Sequence, residues 1–148
     1  MTDPKSKQAD ETTLHASCVA VEGRALLILG ASGTGKSGLA LTLMSMGAGL
    51  VADDRVTLTR RSRTLIASAP PPISGLIEAR GIGLLRAKTT GPTPVGCVVD
   101  LDETEAARMP RPQQTILLGQ SVTLFLKVET PHFPASLMQY LKEGRQPE

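Results

Sequence analysis

Gly30-Ala31-Ser32-Gly33-Thr34-Gly35-Lys36-Ser37 satisfies the pattern G-x-x-x-x-G-K-[ST] in full. Each residue type in it has a chemical task. Glycines let backbone N–H groups converge on phosphate oxygens, and the start of a helix adds favourable partial positive charge. The ammonium of Lys36 neutralises β and γ phosphates, and the Ser37 hydroxyl ligates Mg²⁺. The pattern therefore calls for a bound nucleoside triphosphate with its metal. It does not say where the phosphate goes.

Carboxylates and histidines elsewhere bear on that question. Asp53 and Asp54 lie in "VADDRV", ending a short apolar run. A carboxylate there can hold magnesium or take the proton of an attacking hydroxyl. Side chains alternate along a strand, so the pair is expected to send only one member to a given site. Glu78, in "IEARGIGLL", is placed equally well for a metal or for a surface ion pair with Arg80. Asp100 and Asp102, in "VVDLDE", are rival metal carboxylates at a strand end. His15 is a lone histidine, and His132, in "TPHFP", reads as a loop residue.

The elements that must position these groups follow from the local pattern. "LHASCVAVEGRALLILG" divides into two strand-like runs around Glu22-Gly23. A hairpin there pairs residues whose numbers sum to about 45, which sets His15 opposite Gly30. "KSGLALTLMSM" (36–46) is rich in helix formers, and Gly47 is placed to end that helix. An alternating strand follows the aspartates, and "RSR" (61–63) marks an exposed turn. Three prolines at 70–72 demand an irregular loop, since none can donate a backbone hydrogen bond. Residues 88–94, "KTTGPTP", read as a flexible connection and "VGCVVDL" as a buried strand. "DETEAARMPRP" reads as a short acidic helix or turn, and "TILLGQSVTLFLKVET" as two strands or one bent at Gly119. "PASLMQYLKEG" predicts an amphipathic helix entered at Pro134 and left at Gly144. Strands outnumber helices, and the expected fold is α/β, a mixed sheet carrying a P-loop. Residues 1–13 are expected to be a polar tail and residues 14–148 one catalytic domain.

Composition narrows the partners. The chain has 148 residues, 41% hydrophobic, enough for one domain with a modest core. A net charge of +2 and 2% aromatics offer neither a basic groove nor a stacking platform, so no nucleic-acid partner is expected. No stretch approaches the roughly 20 apolar residues of a membrane span, and none is expected to bind a membrane. "MTDPKSKQADETT" has no apolar run of a signal sequence, and Cys18 and Cys97 lack metal-ligand spacing. These features set the expected location as the cytoplasm, with both thiols buried and reduced.

The ordered blocks "LHASCVAVEGRALLILGASGTGKSGLALTLMSMGAGLVADDRV" and "LIEARGIG" resemble the catalytic domain of HPr kinase/phosphorylase over roughly residues 14–84. The resemblance implies ATP-dependent phosphorylation of a serine on HPr, the phosphocarrier protein of the phosphotransferase system. It further implies a fold related to phosphoenolpyruvate carboxykinase. Carried over by position, Lys36 contacts the transferred phosphate, Ser37 and Glu78 bind Mg²⁺ with Asp53 beside them, and Asp54 takes the serine proton. His15 lines the phosphate site, and Arg108, in "EAARMP", stands where the family has a later catalytic arginine.

Two departures from the family pattern are visible. Only 14 residues precede His15, whereas longer members carry an N-terminal domain, so the resemblance is to the short form. The family's late proline- and arginine-rich block reads "TILLGQSVT" here, with no arginine. Forward transfer is thus matched, while phosphorolysis of the serine phosphate lacks its matching residues. Family members assemble as hexamers, which makes a homo-oligomer the expectation. The rival readings are a small-molecule kinase or carboxykinase-like enzyme on the same scaffold, and a domain that senses ATP without transferring phosphate.

Overall fold

The computed structural model describes residues 10–146. Strands β1 (Glu11–His15), β2 (Ser17–Val21) and β3 (Arg24–Leu29) lead into helix α1 (Lys36–Ser45). Then come β4 (Gly49–Ala52), β5 (Arg55–Arg61), β6 (Thr64–Ser68) and a 3₁₀ turn at Pro71–Ile73. The hairpin β7 (Leu76–Ala79) and β8 (Gly83–Arg86) precedes the long β9 (Thr93–Thr104). β10 (Gln113–Leu117), β11 (Gln120–Lys127) and helix α2 (Phe133–Glu143) complete the chain.

Nine strands form one mixed sheet in the order β1-β5-β6-β9-β3-β2-β4, with β11 also on β9 and β10 on β11. β9 runs parallel to β3 and to β11, and the remaining pairs in this sheet are antiparallel. This is the expected mixed sheet with few helices. The parallel centre explains the unbroken apolar run of β3, because such strands are buried on both faces. Ala25, Leu26, Leu27 and Ile28 are all fully buried.

The two-residue side-chain period divides the interior between those faces. Val19, Leu26, Ile28, Cys97 and Val99 pack with Leu43 of α1 and with Phe133, Leu137 and Leu141 of α2. Cys18, Leu27 and Val98 face the other way, onto Val56 and Leu58 of β5 and Leu65 and Ala67 of β6. The sheet thus curls so that its antiparallel wing covers the face the helices leave free.

The hairpin β2–β3 turns at Glu22 and Gly23, both at positive φ (51° and 77°), and Ser17 faces Ile28 as the expected register requires. That register does not reach His15. The strand breaks at Ala16, β1 leaves for the antiparallel wing, and His15 pairs with Arg55 instead of Gly30. β1 also begins at Glu11, inside the stretch expected to be a tail, while residues 1–9 lie outside the described residues.

Other segments differ from the sequence reading in detail. The 88–94 connection is pinned: Leu50 N–H donates to the Lys88 carbonyl, Thr90 N–H donates to Leu50, and Thr93 is buried at the start of β9. The acidic stretch after β9 forms no helix, and Asp102 and Thr104 still belong to the strand. Leu118 (φ 47°) and Gly119 (φ 77°) make the turn of a two-strand hairpin, β10–β11. Both expected helices are present, α1 closing at Gly47 (φ 116°), whose N–H reaches the Met44 carbonyl.

Candidate active site

β3 delivers the chain to the glycine loop, and α1 takes it away. Gly30 has φ 152°, and a Cβ there would stand 2.5 Å from Thr34 Oγ1, so the loop closes only around glycine. Thr34 donates its hydroxyl to the Ala31 carbonyl at 2.7 Å, folding the loop on itself. Lys36 is buried, and its Nζ donates to the carbonyls of Gly30 (2.8 Å) and Ala31 (3.1 Å). The ammonium is therefore held over the loop by two weak acceptors that a phosphate can displace.

Ser32, Gly33, Gly35, Lys36 and Ser37 line a cavity of about 570 Å³. His15, Asp54, Glu78 and Arg80 line its remaining walls. Three chain segments remote in sequence thus meet the loop. Ser17, at the start of β2, also reaches the cavity.

One member of the aspartate pair faces the cavity, as expected, but a turn and not strand alternation divides the two. Asp53 and Asp54 lie in the turn between β4 and β5, so strand periodicity does not apply; Asp54 lines the cavity, and Asp53 lies buried beneath it. Asp53 is buried. Its Oδ1 accepts the hydroxyls of Ser17 (2.6 Å) and Ser37 (2.8 Å), and its Oδ2 accepts Glu78 N–H at 3.0 Å. One carboxylate ties β2, α1 and the β7–β8 hairpin together. Asp54 has φ 71°, a left-handed conformation that costs about 1–2 kcal/mol for a residue with a Cβ. Its Oδ1 stands 3.3 Å from His15 Nε2, with both side chains more than half exposed. A pair that open to water adds little stability. Strain without a stability return is a mark of a functional residue.

Glu78 and Arg80 are exposed on the cavity wall and form no ion pair among the described residues. Asp100 and Asp102 each accept a backbone N–H: Asp102 Oδ1 accepts that of Ala31 at 2.9 Å, and Asp100 Oδ1 accepts that of Asp102. The end of β9 thereby braces the entrance of the glycine loop. Arg108 is exposed in the irregular segment between β9 and β10 and is not among the residues lining this cavity. His132 sits at the N-terminus of α2, where its carbonyl accepts the Ser136 N–H.

Ser17 and Asp102 make contacts that the sequence reading does not assign to them. The signal for Ser17 is a hydroxyl opening an otherwise apolar buried strand, which must find a partner. Cys18 and Cys97 are buried thiols on opposite sheet faces. Burial pushes Cys97 up to about 12 and Cys18 further still, with the neighbouring Cys97 adding to the effect, so neither is a nucleophile at neutral pH.

The description "HPr Serine kinase C-terminal domain" is that of the family model matching residues 6–92, more than half of the chain. This chain belongs to that family. A protein of Verminephrobacter eiseniae called HPr kinase/phosphorylase is 49% identical over 78 residues, covering 52% of this chain and 24% of that protein. One of the same name from Clostridium botulinum is 46% identical over 79 residues, 53% of this chain and 26% of its own length. The match thus spans about a quarter of the curated relatives. The solved HPr(Ser) kinase/phosphatase of Coxiella burnetii superposes with a TM-score of 0.72 at 26% identity, covering 88% of this chain and 93% of that one. The mixed sheet with two helices is the family's fold. Among the described residues, no helix is long and apolar enough to cross a membrane.

Proposed function

We propose that this chain is an ATP-dependent kinase that phosphorylates a serine of HPr. The observation that carries the reading is Asp54, held in a strained turn beside His15 on the wall of the glycine-loop cavity. A domain that only sensed nucleotide would need the loop but no exposed carboxylate fixed beside it.

The loop amides and Lys36 hold the β and γ phosphates and stabilise charge on the phosphoryl group in flight. The acceptor's serine oxygen attacks the γ phosphorus, forming a new O–P bond. The bond from that phosphorus to the β–γ bridging oxygen breaks, and ADP leaves with the electron pair. The serine proton passes to the Asp54 carboxylate, which His15 orients. Catalysis here is positioning and electrostatics.

The residues also fit Mg²⁺. Among the described residues no three His, Cys, Asp or Glu side chains cluster into a cage, but magnesium on a nucleotide needs only one or two protein ligands. Ser37 gives its proton to Asp53, which keeps its oxygen lone pairs available to a cation. Ser37 and Glu78 would hold the metal, with Asp53 orienting the serine and available as a further oxygen ligand. Bound there, the metal supplies charge neutralisation at the phosphates.

Self-assembly belongs to the same reading, since Leu84 (65% exposed) on β8 and Ile116 (70%) on β10 present apolar side chains outside the cavity. The test is incubation with HPr and γ-labelled ATP. Labelled HPr with the wild-type chain, and none with Lys36→Ala, is the expected result. Label passing to small acceptors but not to HPr would favour a small-molecule kinase instead.

A further inference from the structure

A second cavity, of about 470 Å³, opens beside the first and is lined by Thr13, Leu14, His15, Asp54 and Arg55. His15 and Asp54 line both cavities, so the proposed proton acceptor stands on their border. The glycine loop, which must hold the nucleotide, lines only the first. Transfer requires the attacking oxygen to approach the phosphorus away from the leaving oxygen. With the nucleotide on one side of Asp54, the space for the attacking group is on the other.

The walls of the second cavity agree with that division. They come from β1 and the start of β5, and β1 is the end strand of the sheet order. Arg55 is exposed there and forms no ion pair among the described residues. Its backbone is fixed: Arg55 N–H donates to the Asp53 carbonyl at 2.8 Å, and the residue pairs with His15. An unpaired guanidinium on a fixed backbone, next to the transfer point, is a receptor for an anionic group.

Resting on the kinase reading, we infer that the second cavity is the acceptor subsite and that Arg55 sets acceptor affinity by pairing with an anionic group. That group is either a carboxylate of the acceptor or the phosphoryl group it has just received. Arg55 is thus a specificity residue that takes no part in bond making.

The test measures KM for HPr in turnover. Binding of HPr and of serine-phosphorylated HPr is measured by calorimetry, without turnover, for the wild-type chain and for Arg55→Ala, Arg55→Glu and Arg55→Lys. Arg55→Ala is expected to weaken acceptor binding about three- to tenfold and to flatten its salt dependence, with Arg55→Glu worse and Arg55→Lys largely restored. Nucleotide affinity should not move. Weakening of both forms assigns the anion to an acceptor carboxylate, and weakening of the phosphorylated form alone assigns it to the phosphoryl group. A wild-type chain that phosphorylates HPr, with Arg55 variants binding both forms equally well, overturns the subsite and leaves the kinase standing. A wild-type chain that neither binds nor phosphorylates HPr removes the kinase reading and the subsite with it.

Discussion

The Ser37 hydroxyl of the glycine loop donates to Asp53 Oδ1 at 2.8 Å, joining the first turn of α1 to the turn after β4. Ser17 donates to the same oxygen and the Glu78 N–H to the other, so Asp53 is the buried hub of the site. Asp53→Ala strands two hydroxyls and an amide at once. It should cost about 2–4 kcal/mol, read by urea denaturation, since buried groups without partners cost about 1–3 kcal/mol each and water recovers part. Ser17→Ala removes one donor and should cost about 1 kcal/mol.

Asp54 behaves in the opposite way. Its left-handed φ of 71° suits glycine better than any residue with a Cβ. Asp54→Gly should leave thermal stability unchanged or raise it by up to about 1 kcal/mol while abolishing phosphate transfer. A clear loss of stability would show that Asp54 holds the turn for structural reasons.

Asp102 accepts the Ala31 N–H from the end of β9. Asp102→Ala frees the loop entrance and should raise KM for ATP several-fold with a smaller change in kcat. Asp102→Asn keeps an oxygen acceptor and should recover most of that loss. Equal kcat and KM for all three chains would leave the brace without a role in nucleotide binding.

The buried thiols make a prediction about pH. With Cys97 raised to about 12 and Cys18 beyond it, both from an ordinary 9.0, folded and unfolded chains alike keep their thiol protons below pH 9.0. Above it only the unfolded chain releases them, so stability falls as pH rises from 9.0 toward 12. Denaturant midpoints at pH 8 and pH 10 check this, and the Cys18→Ala/Cys97→Ala double variant should show a shallower fall.

Much of this site was legible because its chemistry is written in short spacings. The loop from Gly30 to Ser37 needs glycines at fixed places, and the Glu22-Gly23 turn sets the β2–β3 register, so both follow from local residues. His15 was harder. A register counted from the turn assumes an unbroken strand, but the chain leaves the hairpin at Ala16, whose N–H bonds the Asp54 carbonyl. It still meets the site, by way of β5. The aspartates show the same limit: one of the two faces the cavity, as expected, but a turn with Asp54 at positive φ divides them and not strand alternation. Arg108 sits in a segment with no periodic pattern to place it. The Ala31–Asp102 contact joins residues far apart in sequence, and no local pattern announces such a bond.

The most direct measurement is the mass and phosphorylation site of HPr after incubation with this chain, ATP and Mg²⁺, run beside Asp54→Asn. Gain of one phosphoryl group on one serine with the wild-type chain, and none with Asp54→Asn at nearly unchanged nucleotide affinity, is the result predicted. HPr unmodified by a wild-type chain that binds ATP tightly, or modified equally by Asp54→Asn, would contradict it.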